Sequence, residues 1–350
     1  MRVLVTGGAG FIGSHVVDEL VAVGADVIVI DSIAAAAHAS VPDYLNEHAD
    51  VRFVALHDEA AVATAVERVD AVCHQAARVG LGVDLDDITS YVYDNDLGTA
   101  VLLRALWRRG FHGRLVVASS MAIYGEGRYQ CETHGDVQPG PRVAADLEAG
   151  RFEPACPHCG RPATSATIDE DATPDPRNVY AATKLHTEHL ATSFGRETGA
   201  SVCSLRYHNV YGPRMPRNTP YAGVASIFRS ALAGGAAPLV LEDGGQRRDF
   251  VHVRDVARAN TLALDSSWAG PLNIASGTPH SVLDLAHALW RANGEPELRP
   301  LVTGGFRLGD VRHVVASPDR AASTLGFVAS IGFDDGVNAF ADADLREAAS

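Results

Sequence analysis

Tyr180 and Lys184 are the residues whose types and spacing most directly suggest chemistry. Lys184 is the one lysine in 350 residues, and every arginine-or-lysine position elsewhere is arginine. A chain that uses arginine wherever a positive charge suffices keeps lysine where arginine will not serve. Lysine offers a compact ammonium that fits under a ring hydroxyl, whereas arginine offers a wide planar fork. Positions four apart share one face of a helix, so Lys184 is expected beside Tyr180. A neighbouring ammonium favours phenolate and lowers a tyrosine pKa. Such a phenol can act as a general base near neutral pH. The same spacing also arises on solvated helices, so the surrounding elements must decide.

Those elements alternate between strand and helix. Arg2–Thr6 is a short apolar strand, followed at once by Gly7, Gly10 and Gly13 in a G-x-x-G-x-x-G spacing. Phe11 and Ile12 fall in the opening turn of an amphipathic helix carrying Val16, Val17, Leu20 and Val21. Glycines there permit a tight turn and let a pyrophosphate reach the backbone at the helix N-terminus. A second strand, 26–30, ends in Asp31. A carboxylate at that place accepts the adenosine-ribose hydroxyls and repels a 2′-phosphate, which favours NAD over NADP. A third strand at 51–55 leads to Asp58, a candidate for the adenine amino group. A fourth, at 71–77, ends in Ala76 and Ala77, small enough for a cofactor to pass; Cys73 and His74 read as packing residues. A helix over 91–109 carries Asn95, a further candidate cofactor contact. A fifth strand at 113–118 leads into Ser119 and Ser120. The pattern predicts an α/β fold with a doubly wound parallel sheet. Ligands then bind beyond the carboxyl ends of the strands, where Gly7, Asp31, Ala76 and Ser120 all fall.

The net charge of -14 argues against nucleic acid and anionic membrane as partners. No apolar run reaches the length of a membrane span. The first strand begins at Arg2 with no leader before it, and a cytoplasmic protein is expected. Five cysteines then point to metal binding or buried thiols rather than a disulfide frame.

Residues 126–170 interrupt the alternation. They hold Cys131 and His134 in a C-x-x-H, then Cys156 and Cys159 in a C-P-x-C-G. That set suits a tetrahedral Cys₃His zinc site, with Gly135 and Gly160 giving each knuckle freedom. His158 is a rival nitrogen donor inside the second knuckle. Four protein ligands leave no open position, so such a zinc would be structural. The insert is polar and rich in Pro and Gly, and little core is expected in it without metal.

Several motifs together resemble the extended short-chain dehydrogenase/reductase family, the NAD-dependent nucleotide-sugar epimerases and dehydratases. They are TGGAGFIG at 6–13, Asp31, SSMAIYG at 119–125, YAATK at 180–184, RYHNVYGPR at 206–214, RRDFVHVRDVA at 247–257 and FRLGDVRH at 306–313. The resemblance spans nearly the whole chain except the insert. It implies an NAD-binding Rossmann domain over 1–212, with 247–275 returning to it, and a smaller nucleotide-sugar-binding domain from 213–246 and 276–350. It also implies a homodimer built on the helices at 91–109 and 178–198. Asn209 would contact the substrate near its diphosphate, Arg248 and Arg307 would hold the diphosphate, and Asp310 would face the nucleoside ribose. Arginine suits phosphate because its fork is bidentate.

The resemblance further implies oxidation of a sugar at C4. Tyr180 would take the 4-hydroxyl proton, Ser120 would hydrogen-bond the same oxygen, and Lys184 would hold the nicotinamide ribose while lowering the Tyr180 pKa. The 4,6-dehydratases carry Asp-Glu after the serine or threonine, and decarboxylases commonly place Glu second. Here the two positions are Met121 and Ala122. A 4-epimerase acting on a dTDP- or UDP-hexose remains, and the stretches 77–83 and 211–225 resemble that branch. A decarboxylase or a 4-ketoreductase/dehydratase is the alternative reaction. The non-enzyme alternative is an NAD-binding regulatory protein, which would have no need of Ser120, Tyr180 and Lys184 together.

Overall fold

Apolar alternation along the first strands decides the architecture. In Arg2–Thr6, Val3 and Val5 enter one core while Leu4 enters another. In Asp26–Asp31, Val27 and Val29 part from Ile28 and Ile30 in the same way. Successive side chains point to opposite faces, and both faces are apolar, so the sheet must be covered on both sides. The structure, a computed structural model, describes residues 1–35, 37–80, 85–217 and 223–347.

Seven parallel strands form the main sheet in the order Gly270–Ile274, Ser201–Tyr207, Arg114–Ser120, Ala71–His74, Arg2–Thr6, Asp26–Asp31, Asp50–Phe53. Helices Phe11–Ala22 and Val253–Asp265 cover one face through Val16, Leu20, Val256 and Ala263. The other face is covered by Glu59–Ala65, Gly98–Arg108 and Val179–Thr198, through Val62, Leu102, Leu106 and Phe194. This is the doubly wound order whose ligand crevice lies beyond the carboxyl ends, beside the first strand.

The helix expected over 91–109 starts earlier and is not uniform. It is α-helical over Ile88–Tyr91, widens to a π-helix over Val92–Leu97, and returns to α-helix over Gly98–Arg108. Asn95 lies within the wide turn. Such π-bulges re-aim side chains and are often found at functional sites.

A second, four-stranded sheet is built from Asn209–Tyr211, Arg247–His252, Pro279–Ser281 and His313–Val314. Helices Val224–Ala233, Val282–Ala292 and Phe333–Ala341 pack a core of Phe228, Leu285, Leu289 and Phe340. The return to the main sheet starts later than 247, because Arg247–His252 pairs in this small sheet. The helix from Val253 and the strand Gly270–Ile274 make the return.

The insert forms its own antiparallel sheet, Gly135–Val137, Arg128–Cys131 and Thr164–Ala166. Its core is small: Tyr129, Cys131, Val137, Cys156 and Ala163. Among the described residues, no helix is long and apolar enough to cross a membrane.

Candidate active site

The glycine loop is shaped by what it cannot hold. A Cβ on Gly7, whose φ is +69°, would lie 2.7 Å from the Ala76 backbone. A Cβ on Gly13 would lie 2.1 Å from the Gly7 carbonyl oxygen. The loop is therefore pressed against the end of Ala71–His74, where the Ala76 amide donates to Thr6 Oγ1 at 3.2 Å. Gly10 caps Phe11–Ala22 without a side-chain hydrogen bond. The first amides of that helix have no partner within it, and the helix dipole adds positive potential. These features fit a dinucleotide pyrophosphate. Asp31 stands at the rim, accepting from the Ala9 amide at 3.0 Å and the Ile33 amide at 2.9 Å. Each of its oxygens keeps a second lone pair for ribose hydroxyls.

The other expected cofactor residues divide. Asp58 Oδ1 accepts from the Ala61 amide at 3.0 Å and caps Glu59–Ala65, so one of its oxygens is spent on the helix. Asn95 is 2 % exposed and pins protein to protein. Its Oδ1 accepts from the Arg78 amide at 2.7 Å, and its Nδ2 donates to the Arg78 carbonyl at 3.0 Å and Thr183 Oγ1 at 2.9 Å. It thereby ties the segment after Ala76 and Ala77 to the Tyr180 helix. Phe11 packs toward the small-domain core, and Ile12 toward the main one.

Asn178 opens the Tyr180 helix by accepting from the Ala181 amide at 2.9 Å. Ser120 ends the strand Arg114–Ser120, and its Oγ accepts from the Ala122 amide at 3.2 Å. Tyr180 and Ser120 are brought together: burial raises the phenol pKa, and the Ser120 hydroxyl opposes that as its hydrogen-bond partner. Lys184 is 4 % exposed. Burial pulls its ammonium down to about 8, against the pull of Glu188. Its charge registers at His74, whose pKa falls to about 3 mainly through burial. It is not among the groups acting on the Tyr180 phenol. Burial, rather than the ammonium, sets the direction of the phenol's shift.

Glu188, which sequence reasoning passed over, continues the stripe Tyr180, Lys184, Glu188 at four-residue steps. It grips the Arg206 guanidinium at 2.9 and 3.0 Å, with both side chains buried, and Ser119 Oγ donates to it. Arg206 Nη1 also donates to the Tyr124 hydroxyl and the Glu170 carbonyl, each at 2.9 Å. The Tyr124 hydroxyl in turn donates to Asn273 Oδ1 at 2.8 Å. This fully bonded network fixes the strand end that presents Ser120. Glu188→Ala strands a buried guanidinium, and a loss of roughly 3–5 kcal/mol is expected. Urea unfolding measures it, as a lower midpoint at unchanged slope. A loss under about 1 kcal/mol would mean that water solvates Arg206.

On the substrate side, Asn209 has its amide oxygen buried with no partner among the described residues, open to a ligand. Amide oxygen and nitrogen exchange by a flip, so either can face it. The Arg248 guanidinium is largely occupied, donating to the carbonyls of Arg247, Val311 and Arg312 at 2.9, 2.6 and 2.9 Å. It holds the segment 307–313 in place and keeps only part of its fork for a phosphate. Arg307 is exposed. Asp310 is half-buried; burial raises its pKa, and Arg248, Arg307 and Arg142 counter. The segments 81–84 and 218–222, parts of the stretches expected to mark the sugar, lie outside the described residues.

In the insert, the donor atoms of Cys131, His134, Cys156 and Cys159 all lie within 4.8 Å of one another. Cys131 Sγ is 3.5 Å from His134 Nδ1 and 3.7 Å from Cys159 Sγ; Cys156 Sγ is 3.5 Å from the same nitrogen. Tetrahedral zinc, with Zn–S about 2.3 Å and Zn–N about 2.0–2.1 Å, spans about 3.8 Å between sulfurs and about 3.5 Å from sulfur to nitrogen. These three spacings match. All five cysteines are free thiols. Backbone amides of Thr133 and His134 hold the Cys131 thiol down at about 7.

A parallel sheet in this order, with a glycine-cradled helix N-terminus after its first strand, is the doubly wound dinucleotide-binding fold. The chain belongs to the NAD dependent epimerase/dehydratase family, whose model matches residues 3–144 and 155–275. It is 33% identical to a dTDP-L-rhamnose 4-epimerase of Burkholderia thailandensis, over 96% of this chain and 93% of that protein. Among solved structures, it resembles the UDP-glucose 4-epimerase of Thermotoga maritima with UDP-glucose, at TM-score 0.80 and 29% identity. It also resembles the Thermus thermophilus UDP-glucose 4-epimerase in complex with NAD, at TM-score 0.77 and 32% identity. Both structural matches cover 98% of each chain.

Proposed function

We propose that this protein is an NAD-dependent nucleotide-sugar 4-epimerase acting on a dTDP- or UDP-hexose. The carrying observation is what surrounds the Ser120–Tyr180 pair. A buried lysine lies one turn beyond Tyr180, and Met121 and Ala122 follow Ser120. The pair can move one proton at one oxygen. Met121 and Ala122 offer neither acid nor base for an elimination. NAD, which the glycine loop and Asp31 would hold, would supply reversible hydride transfer at C4. Tyr180 removes the 4-hydroxyl proton and later restores it, while Ser120 holds that oxygen. The burial of Lys184 keeps its amine near the His74 strand, where the nicotinamide ribose would pass. The relatives with dTDP- and UDP-sugars in their names support this substrate class. Incubation with dTDP-L-rhamnose and UDP-glucose, followed by NMR, is the test: inversion at C4 with no net NADH is expected. Stoichiometric NADH, or carbon dioxide from a uronic acid, would move the protein to a dehydrogenase or decarboxylase.

Asp31 supports NAD over NADP. Asp31→Ala should narrow that preference by at least about tenfold, a change of ~1.4 kcal/mol. Comparison of KM for the two cofactors measures it, and an unchanged preference would place discrimination elsewhere.

Two further readings accompany this one. A second copy of the chain covers Val92, Tyr93, Leu97 and Trp107, which are exposed along one helix beside the Tyr180 helix; light scattering should give a homodimer. Cys131, His134, Cys156 and Cys159 hold one structural zinc.

A further inference from the structure

Arg346 lies in the C-terminal segment, beyond the residues that the family model matches. Its backbone is stitched to the loop after Tyr211. The Arg346 amide donates to the Met215 carbonyl at 2.8 Å, and the Arg217 amide donates to the Arg346 carbonyl at 2.7 Å. This strap carries the side chain across to the glycine loop. Arg346 Nη1 lies 3.9 Å from where a Cβ of Gly10 would be. Its Nε and Nη1 are buried and have no hydrogen-bond partner among the described residues. Tyr44, whose hydroxyl donates to the Ala9 carbonyl at 2.9 Å, is the guanidinium's side-chain hydrogen-bond partner, which leaves Nε and Nη1 unpaired. Asp18 pairs with Arg214 at 2.7 Å and Glu347 with Arg217 at 3.2 Å, whereas the Asp31 carboxylate acts on His38 and Tyr44, the same neighbours as Arg346. His38 Nδ1, on the same side of the loop, is also buried without a partner.

A guanidinium with buried, unpaired nitrogens is costly unless an anion completes it. The uncapped N-terminus of Phe11–Ala22 places a second positive feature at the same spot. Two positive groups converging on Gly10 define an anion position. We propose that Arg346 is a cofactor-binding residue that the second domain contributes, donating to a phosphate of the dinucleotide, its pyrophosphate, and closing the cleft over it. The assignment rests on the reading of the glycine loop as an NAD site. It gives the C-terminal strap a role in retaining cofactor through the reaction, apart from recognition of the sugar nucleotide.

The test uses the full chain, Arg346→Met and Arg346→Lys. Calorimetry gives Kd for NAD, ADP-ribose, adenosine, NADP and UDP, and melting is followed with and without NAD. Arg346→Met removes a charge-assisted hydrogen bond and should weaken NAD and ADP-ribose by roughly 10–100-fold. Adenosine and UDP should bind as in wild type, and Arg346→Lys should recover part of the loss. Melting without NAD should not fall, because an unpaired buried cation has been removed; only the stabilisation by NAD should shrink. Unchanged NAD affinity would overturn the assignment. So would an equal fall in melting with and without NAD, which marks a latch for the strap. A loss confined to NADP would place Arg346 at a 2′-phosphate instead. A wild type that binds no NAD would remove the cofactor reading itself, and this assignment with it.

Discussion

Tyr180→Phe should lower kcat by roughly 10²–10⁴-fold while leaving cofactor and sugar-nucleotide affinity within a few-fold of wild type. The substitution keeps the ring, its packing near Tyr91 at 6.4 Å between centroids, and the helix that carries it. It removes one oxygen, the one hydrogen-bonded to Ser120. The phenol has two opposing influences on it. Burial favours the neutral form, and the Ser120 hydroxyl stabilises the anion. The lysine one turn on is itself held at about 8, so its charge fades as pH rises through that value. Wild-type rate should therefore bend in the range where Lys184 loses its proton and its hold on the nicotinamide ribose, and Tyr180→Phe should keep that bend while losing its rate. Stopped assays at several pH values, with NMR of the sugar, separate the two effects. Turnover within a few-fold of wild type would remove Tyr180 from the role of base.

How much of this was legible in the sequence depends on the range of the interactions. The glycine loop was legible because its constraint is local: Gly7 and Gly13 stand where a Cβ would strike backbone a few residues away or on the next strand. The sheet was legible because alternation in strands such as Asp26–Asp31 has period two. Tyr180 and Lys184 were legible because helix geometry fixes their spacing. Glu188 lay on the same stripe and could have been found by extending it one turn. Its partner Arg206 could not, since the pairing of that helix with the strand Ser201–Tyr207 is a tertiary fact. The π-turn that turns Asn95 toward Arg78 and Thr183 leaves no mark in hydrophobic periodicity. Arg248 shows a further limit. Its residue type and motif point to phosphate, yet its nearest acceptors are three backbone carbonyls. A sequence gives the chemistry an arginine is capable of, and packing decides which acceptor reaches it first.

Removing the zinc proposed for the insert should have the largest effect on folding of any change considered. Structural zinc contributes about 10–16 kcal/mol of apparent binding energy in small domains, and that energy becomes folding energy where little core exists. The insert's own core is five side chains, two of which are the proposed ligands Cys131 and Cys156. One zinc per chain is the expected result of metal analysis, with none in a Cys156→Ser, Cys159→Ser double variant. The consequence should reach the substrate, because charged residues of the insert grip the segment 307–313. Glu153, three residues before Cys156, accepts from Arg312 Nε at 2.8 Å and meets His313 Nε2 at 2.9 Å. Arg142 donates to the Asp310 carbonyl at 2.7 Å and pairs with Glu242 at 2.7 Å. Gly127, at the start of the insert, packs so close to the His313 carbonyl that a Cβ would come within 2.7 Å. Unfolding the insert releases these holds on the loop beside Arg248. Sugar-nucleotide affinity should therefore fall by at least about tenfold, a change of ~1.4 kcal/mol. NAD should stay bound, since none of its cradle at Gly7, Gly13 and Asp31 touches the insert. Calorimetry with UDP or dTDP, run beside NAD on chelated and zinc-loaded protein, reads both. A metal-free wild type with full affinity for both ligands would show that the four donors converge without a metal to hold.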